Sequence, residues 1–152
     1  MRMIGKIAAM ASIVIGSVAT PSVGAAPATV VRNIGVGDPQ RRAVLDALRP
    51  EIARDLGQPV QFVVRALRVQ GDWAFAHVVP QTTAGDAIDF TRTRHAERLR
   101  AGMLDGPDVY ALLQRTGSAW RVRDFVVGPT DVAYLAWPDA HGAPPALFEG
   151  AD

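Results

Sequence analysis

The chain has 152 residues, about half of them hydrophobic and one fifth charged, with three histidines and no cysteine. That length predicts one domain, able to bury roughly two thirds of the surface its unfolded form exposes. The missing cysteine excludes disulfides, thiolate metal sites, iron–sulfur clusters and thiol nucleophiles. A formal charge of +1 offers no electrostatic reason to expect nucleic acid.

Residues 1–28 have the organisation of a signal peptide. Arg2 and Lys6 form a positive n-region, Ile7 to Val18 carry no charge, and Pro21 and Gly24 precede small-residue sites. Cleavage fits after Val23-Gly24-Ala25 or after Ala26-Pro27-Ala28; the second is preferred, because the first leaves Pro27 close behind the cut. The apolar run is shorter than the roughly 20 residues that span a bilayer. The expectation is therefore export by the general secretion route, cleavage, and a single mature domain over 29–152 without a membrane span, periplasmic or extracellular. Loss of Arg2 and Lys6 leaves fourteen arginines against fifteen carboxylates, a net charge of −1 and no lysine.

Residues 29–37 read as a short tail. Asp38 can cap a helix and Pro39 suits its first position. Val44, Leu45, Leu48, Ile52 and Leu56 then follow at spacings of three and four, one apolar stripe, until Gly57 and Pro59. Pro50 deletes one backbone bond inside this run. The stripe continues in phase across it, so the expectation is one kinked helix rather than two. Val60 to Val69 is rich in β-branched residues, Gln70-Gly71-Asp72 turns, and Trp73 to Gln81 returns as a hairpin. A two-residue turn sets Ala66 opposite His77; a three-residue turn sets Arg65 there, and the two registers exchange the faces.

Thr82 to Asp86 reads as a loop, Ile88-Asp89-Phe90 as a short extended piece, and His95 to Met103 as a short helix. Val109 to Gln114 and Ala119 to Val127 form a second hairpin about Thr116-Gly117-Ser118, stopped by Gly128-Pro129. Thr130 is then placed to cap a short helix over 131–136, ended by Pro138. The tail from Ala140 reads as loop, with Leu147 and Phe148 docked on the body. One helix stripe and two hairpins predict an α+β fold: an N-terminal helix packed on a curved antiparallel sheet of about four strands.

Val69-Gln70-Gly71-Asp72-Trp73-Ala74 and Gly117-Ser118-Ala119-Trp120-Arg121-Val122-Arg123-Asp124 resemble the two hairpin patterns of the NTF2-like and cystatin-like superfamilies. The resemblance covers residues 38–127 and implies a helix wrapped by a curved antiparallel sheet. Members of these superfamilies include enzymes, ligand binders and accessory domains, so it implies no single activity. The chain departs from the NTF2-like pattern at its start, where one helix stands for the usual three. As a whole it also resembles small exported bacterial proteins.

His77 shares a phase with Trp73, Phe75 and Val79, and Asp124 with Trp120, Val122 and Val126. An inward imidazole and an inward carboxylate on one sheet can form an acid–base pair, and NTF2-like enzymes are similar in using His and Asp inside the sheet. The plainer reading is that each satisfies its own structural hydrogen bond. Arg92, Arg94, Arg98 and Arg100 form a basic cluster around Glu97. Arg94 and Arg98 share a helical face suited to an anionic partner, such as a phosphate-bearing envelope component, or to plain solvation. The segment 86–104 is expected to expose Arg94 and Arg98; the competing view is a crossover with Phe90, Leu99 and Met103 packed inward.

No metal and no cofactor is expected. His77, His95 and His141 are isolated, without a ligand spacing, and Asp86 and Asp89 lack a calcium-loop pattern. Ser118 has no nucleophile elbow, and Gly35-Val36-Gly37 lacks the third glycine of a dinucleotide site. Tyr134, Trp137 and Phe148 fit either a hydrophobic edge that fastens the tail or the lining of a groove. The functional expectation is a non-catalytic binding or accessory domain of the envelope, recognising a peptide, a small ligand or a partner protein. The alternative is a small NTF2-like enzyme using His77 and Asp124 in a sheet-lined pocket.

Overall fold

A computed structural model describes residues 30–151. The signal-peptide reading of residues 1–28 lies outside them. The chain enters through β1 (Arg32–Asn33) and then forms α1 (Pro39–Leu56). The Asp38 carboxylate accepts from the Gln40 amide at 2.8 Å, filling the capping role its side chain suggests. Gly57, at φ +71°, closes the helix, and its amide reaches the Ala53 carbonyl. The helix runs unbroken through Pro50, which lies on its exposed side, where water can satisfy the carbonyl left without a donor. Val44, Leu48, Ile52 and Leu56 are buried as one stripe.

Four long strands follow: β2 (Gln61–Gln70), β3 (Trp73–Gln81), β4 (Val109–Thr116) and β5 (Ala119–Val127). With β1 they make one antiparallel sheet in the order β1-β2-β3-β4-β5. The sheet thus has five strands rather than about four. The residues read as a tail include β1, which pairs Arg32 with Val69 and Asn33 with Arg68. A two-residue strand has no alternation from which a sequence pattern can be read.

Both hairpins turn over two residues, with Gln70 opposite Trp73 and Thr116 opposite Ala119. Gly71 (φ +59°) and Gly117 (φ +63°) hold the first turn position, where a II′ turn requires positive φ. Ala66 therefore faces His77, the two-residue alternative. Beyond these pairs each outer long strand carries one extra residue, Arg65 in β2 and Arg123 in β5. Bulges bearing a charged side chain are a usual means of keeping sheet edges from pairing with other chains.

The segment between β3 and β4 is less regular. Of Ile88-Asp89-Phe90, Asp89 keeps extended backbone angles, but the three form no strand and Phe90 opens a turn. A single bridge joins Gln81 to Ala87, and a 3-10 turn follows at Phe90–Arg92, because the Asp89 carboxylate caps it by accepting from the Thr91 amide. α2 (Ala96–Arg100) is shorter than the helix expected over His95 to Met103. After β5, Thr130 caps no helix. A 3-10 turn at Ala133–Ala136 leads into α3 (Trp137–His141), and a second follows at Pro145–Phe148. Pro138 opens α3 rather than ending a helix, since the first turn needs no donor from it.

The two faces of the sheet have different covers. α1 packs over Ala74, Ala76, Val78, Val109, Ala111, Leu113 and Val127. The C-terminal segment covers Phe75 and Leu112 with Tyr134, Trp137, Leu147 and Phe148, so Leu147 and Phe148 are docked as expected. Arg68 on β2 ties that segment down by donating to the Glu149 and Gly150 carbonyls, both at 2.5 Å. At the far end of β5, Gly128 (φ +51°) lets the 104–106 turn approach closely: a Cβ there would lie 2.6 Å from Leu104 Cδ1 and 2.8 Å from the Gly106 carbonyl oxygen. No helix among the described residues is long and apolar enough to cross a membrane.

Candidate functional site

His77 lies between Ala76 and Val78, which face α1, so strand alternation turns it to the opposite face. Its register partner is Tyr110, which in turn pairs with Val126; one repeat along, Phe75, Leu112 and Asp124 form the neighbouring row. His77 and Asp124 therefore share a face, but β4 lies between their strands. Two interstrand steps and one two-residue repeat set their Cα atoms about 12 Å apart. The expected acid–base pair is not brought together, and each member has another partner. His77 Nε2 meets Asp108 Oδ1 at 2.6 Å, and Asp124 Oδ2 meets His141 Nε2 at 2.9 Å.

Asp108 immediately precedes β4. Because Tyr110 stands opposite His77, Asp108 is the diagonal neighbour on the same face, within reach of the imidazole edge. The His77 ring stacks on Tyr110 at 4.4 Å, and Tyr110 stacks on Tyr134 at 4.8 Å. The His77 side chain is 16% exposed and that of Asp108 34%, so the pair sits at the rim of the C-terminal cover, open to solvent on one side. His141, from α3, meets its carboxylate partner Asp124 on the same face.

The third histidine is placed differently. His95 is buried, and its Nε2 meets Asp55 Oδ2 at 2.5 Å. Asp55 stands in the last turn of α1, where a carboxylate faces the negative end of the helix dipole. His95 and Arg94, the latter at 3.3 Å, supply the donors that offset this. Arg98 donates to His95 Nδ1 at 3.2 Å, to the Val127 carbonyl at 3.0 Å, to Met103 at 3.1 Å and to Gly128 at 3.4 Å.

The expectation that Arg94 and Arg98 both lie exposed therefore divides. Arg94 is 73% exposed, whereas Arg98 is half-buried and fastens the segment to the end of β5. The competing inward packing also divides: Phe90 is buried, while Leu99 and Met103 face out, Met103 at 60% exposure. His95 and Leu104 take the inward places instead. The result is a tightly anchored segment that presents Leu99 and Met103 beside the exposed Arg94 and Arg100.

Beside this segment an open notch of about 320 Å³ is bordered by Leu56, Gly57, Gln58, Thr82, Ala87, Asp89 and Arg92. The Asp89 carboxyl is held below its usual range. The Thr91 hydroxyl, at 2.5 Å, is the main cause; slight desolvation opposes it, and the Thr91 amide and the Arg92 cation add to it. A wider hollow of about 870 Å³ borders Asp38, Arg41, Arg42 and Arg49. Its described border is the outer side of α1 and the turn before it, without a histidine. No group of three or more His, Cys, Asp or Glu that could hold a metal ion occurs among the described residues.

Sequence reasoning missed Asp55 and Asp108. For Asp108 a signal existed once the register between β3 and β4 was known; for Asp55 there was none, because its partner lies on an irregular segment. Comparison of the chain with protein families, with curated proteins and with solved structures found no match.

Proposed function

We propose that this chain is an exported binding or accessory domain of the cell envelope, and that it meets its partner through the segment 92–103. Export is supported by the charge and apolar pattern of residues 1–28. The binding reading is carried by one observation: a segment anchored by Phe90, His95, Leu104 and Arg98 nevertheless holds Leu99 and Met103 outward among arginines. Apolar side chains on a fixed surface, flanked in the chain by the exposed Arg94 and Arg100, suit a peptide or protein partner with acidic and apolar groups. The test is photocrosslinking in the native envelope from position 103, with position 118, at the opposite end of the strands, as the control. A partner joined from 103, absent from 118 and weakened by Arg94→Ala is the expected result. Equal labelling from both positions, or none from 103, would refute it.

A second reading is favoured by the 2.6 Å contact between His77 and Asp108. In it the domain is a small enzyme of NTF2-like type, with Asp108 rather than Asp124 orienting the imidazole. Nε2 engages Asp108, so proton transfer to a substrate falls to Nδ1. His77→Gln abolishing turnover of a hydrolase or isomerase substrate, with the fold intact by circular dichroism, would favour this reading over the first.

A further inference from the structure

We propose that the Asp55–His95–Arg98 chain is a protonation-sensitive latch that holds the segment 93–104 against the end of the sheet. A guanidinium carries only N–H donors, so the 3.2 Å contact from Arg98 Nη1 requires a lone pair on His95 Nδ1. The imidazole is therefore neutral, with its proton on Nε2, where Asp55 Oδ2 accepts it. The same guanidinium reaches the carbonyls of Val127, Met103 and Gly128. The orientation of one imidazole lone pair thus bears on the contact between this segment and β5.

A second proton on His95 goes to Nδ1. It turns the acceptor facing Arg98 into a donor and sets an imidazolium against a guanidinium in a largely buried place. The charged groups that face His95 are Asp55 from α1 and Arg98 from α2, with Arg94 joined through Asp55. The Phe90 ring closes another edge at 6.4 Å, and β5 contributes a carbonyl through Arg98. Once protonated, His95 keeps its bond to Asp55 and loses the one to Arg98. The release is directional: the side of the segment tied to α1 stays, and the side tied to β5 loosens. That this would govern presentation of Leu99 and Met103 to a partner rests on the binding reading above; the latch itself does not.

The test is an NMR titration of the isotope-labelled chain from about pH 7.5 to about pH 5, the span in which histidines ordinarily change charge. Imidazole nitrogen shifts assign the tautomer, and amide exchange follows the docking. His95 is expected to carry its proton on Nε2 at neutral pH. On its protonation, protection should fall about tenfold, the order expected for loss of a charged hydrogen bond, at two amides. These are Asp105, which donates to the Gly128 carbonyl, and Met103, which donates to that of Arg98. The Gln58 amide, at the end of α1, should not follow. His95→Gln keeps a donor toward Asp55 but cannot titrate, and should abolish the response. Were that variant not to fold, the wild-type spectra alone still decide. A proton on Nδ1 at neutral pH, a His95 that stays neutral throughout, or His95 titrating with Asp105 and Met103 unaffected would each overturn the latch. So would a response that tracks His77 or His141. A latch that responds while crosslinking from position 103 fails would count against the binding reading alone.

Discussion

On β3, Ala74, Ala76 and Val78 face helix α1, whereas Phe75 and His77 face the segment 133–151. The helix satisfies its own backbone and carries its stripe Val44, Leu48, Ile52 and Leu56 in one line. Small side chains beneath it on the sheet allow close approach. The C-terminal segment is divided into two 3-10 turns and one short helix, none long enough to carry a continuous apolar stripe. It is filled by aromatic rings, with Phe75 against Tyr110, Tyr134 and Phe148 at 6.2, 5.5 and 5.3 Å. It is tied by Arg68 to two carbonyls and by His141 to Asp124. A regular element docks through periodicity, and an irregular one through large side chains and explicit polar ties. The two covers should therefore fail in different ways.

The sharpest break in that comparison comes from Phe75→Ala. Phe75 is fully buried at the centre of the aromatic cluster, and its truncation should cost about 3–5 kcal/mol in chemical denaturation. New proteolytic cleavage within 130–145 should report release of the C-terminal cover. If stability falls and those sites stay protected, the two covers behave as one cooperative unit. Leu48→Ala, on the helix side, should cost about 2–5 kcal/mol without selective cleavage in 130–145. Cleavage there would show that the C-terminal cover depends on the helix across the sheet.

Arg98 and Arg94 repeat the contrast on a smaller scale within the segment 90–104. Arg98→Ala takes the guanidinium donor from the Val127 carbonyl at the end of β5 and should cost about 1.5–3 kcal/mol, read as a lower denaturation midpoint. Arg94→Ala, at an exposed ion pair, should stay within about 0.5 kcal/mol. Equally small effects would place both arginines in the solvated class that such a charge run suggests on its own. The smallest expected effect is at Asp89. Its carboxyl is depressed in the folded state, so its contribution to stability is present above the ordinary carboxylate range and lost as the pH falls through the folded value. The stability difference between the wild type and Asp89→Asn should be constant above about pH 5 and shrink below about pH 4. A difference that grows toward acid would reverse the assignment.

What the sequence could determine was local. Asp38, Pro39 and Gly57 bound α1 where the chain itself predicts, because caps and left-handed glycines act on adjacent residues. β3 and β5 have the bounds read from their composition, Trp73–Gln81 and Ala119–Val127, and the α+β class follows from one stripe and two hairpins. The glycine at the first turn position, Gly71, is compatible with both registers considered; only the folded hairpin selects Ala66 opposite His77. Pro138 shows the limit of a single-residue signal: it both ends helices and begins them, and the neighbouring turn decides which.

Only the tertiary structure decided the partners of the histidines. His77 meets Asp108 across 31 positions, His95 meets Asp55 across 40, and His141 meets Asp124 across 17. Such pairings depend on how distant elements are placed in space, and for Asp124 the bulge at Arg123 shifts the register by one residue. Unbroken alternation groups Asp124 with Trp120 and Val122, which lie on the α1 face; the bulge at Arg123 turns Asp124 to the face of His77 instead. Seeing that β4 separates them, and that other carboxylates and imidazoles stand nearer, required the whole sheet. The same holds for Arg98: its composition and spacing match those of Arg94, and only the carbonyls exposed at the end of β5 make one a clamp and leave the other in water.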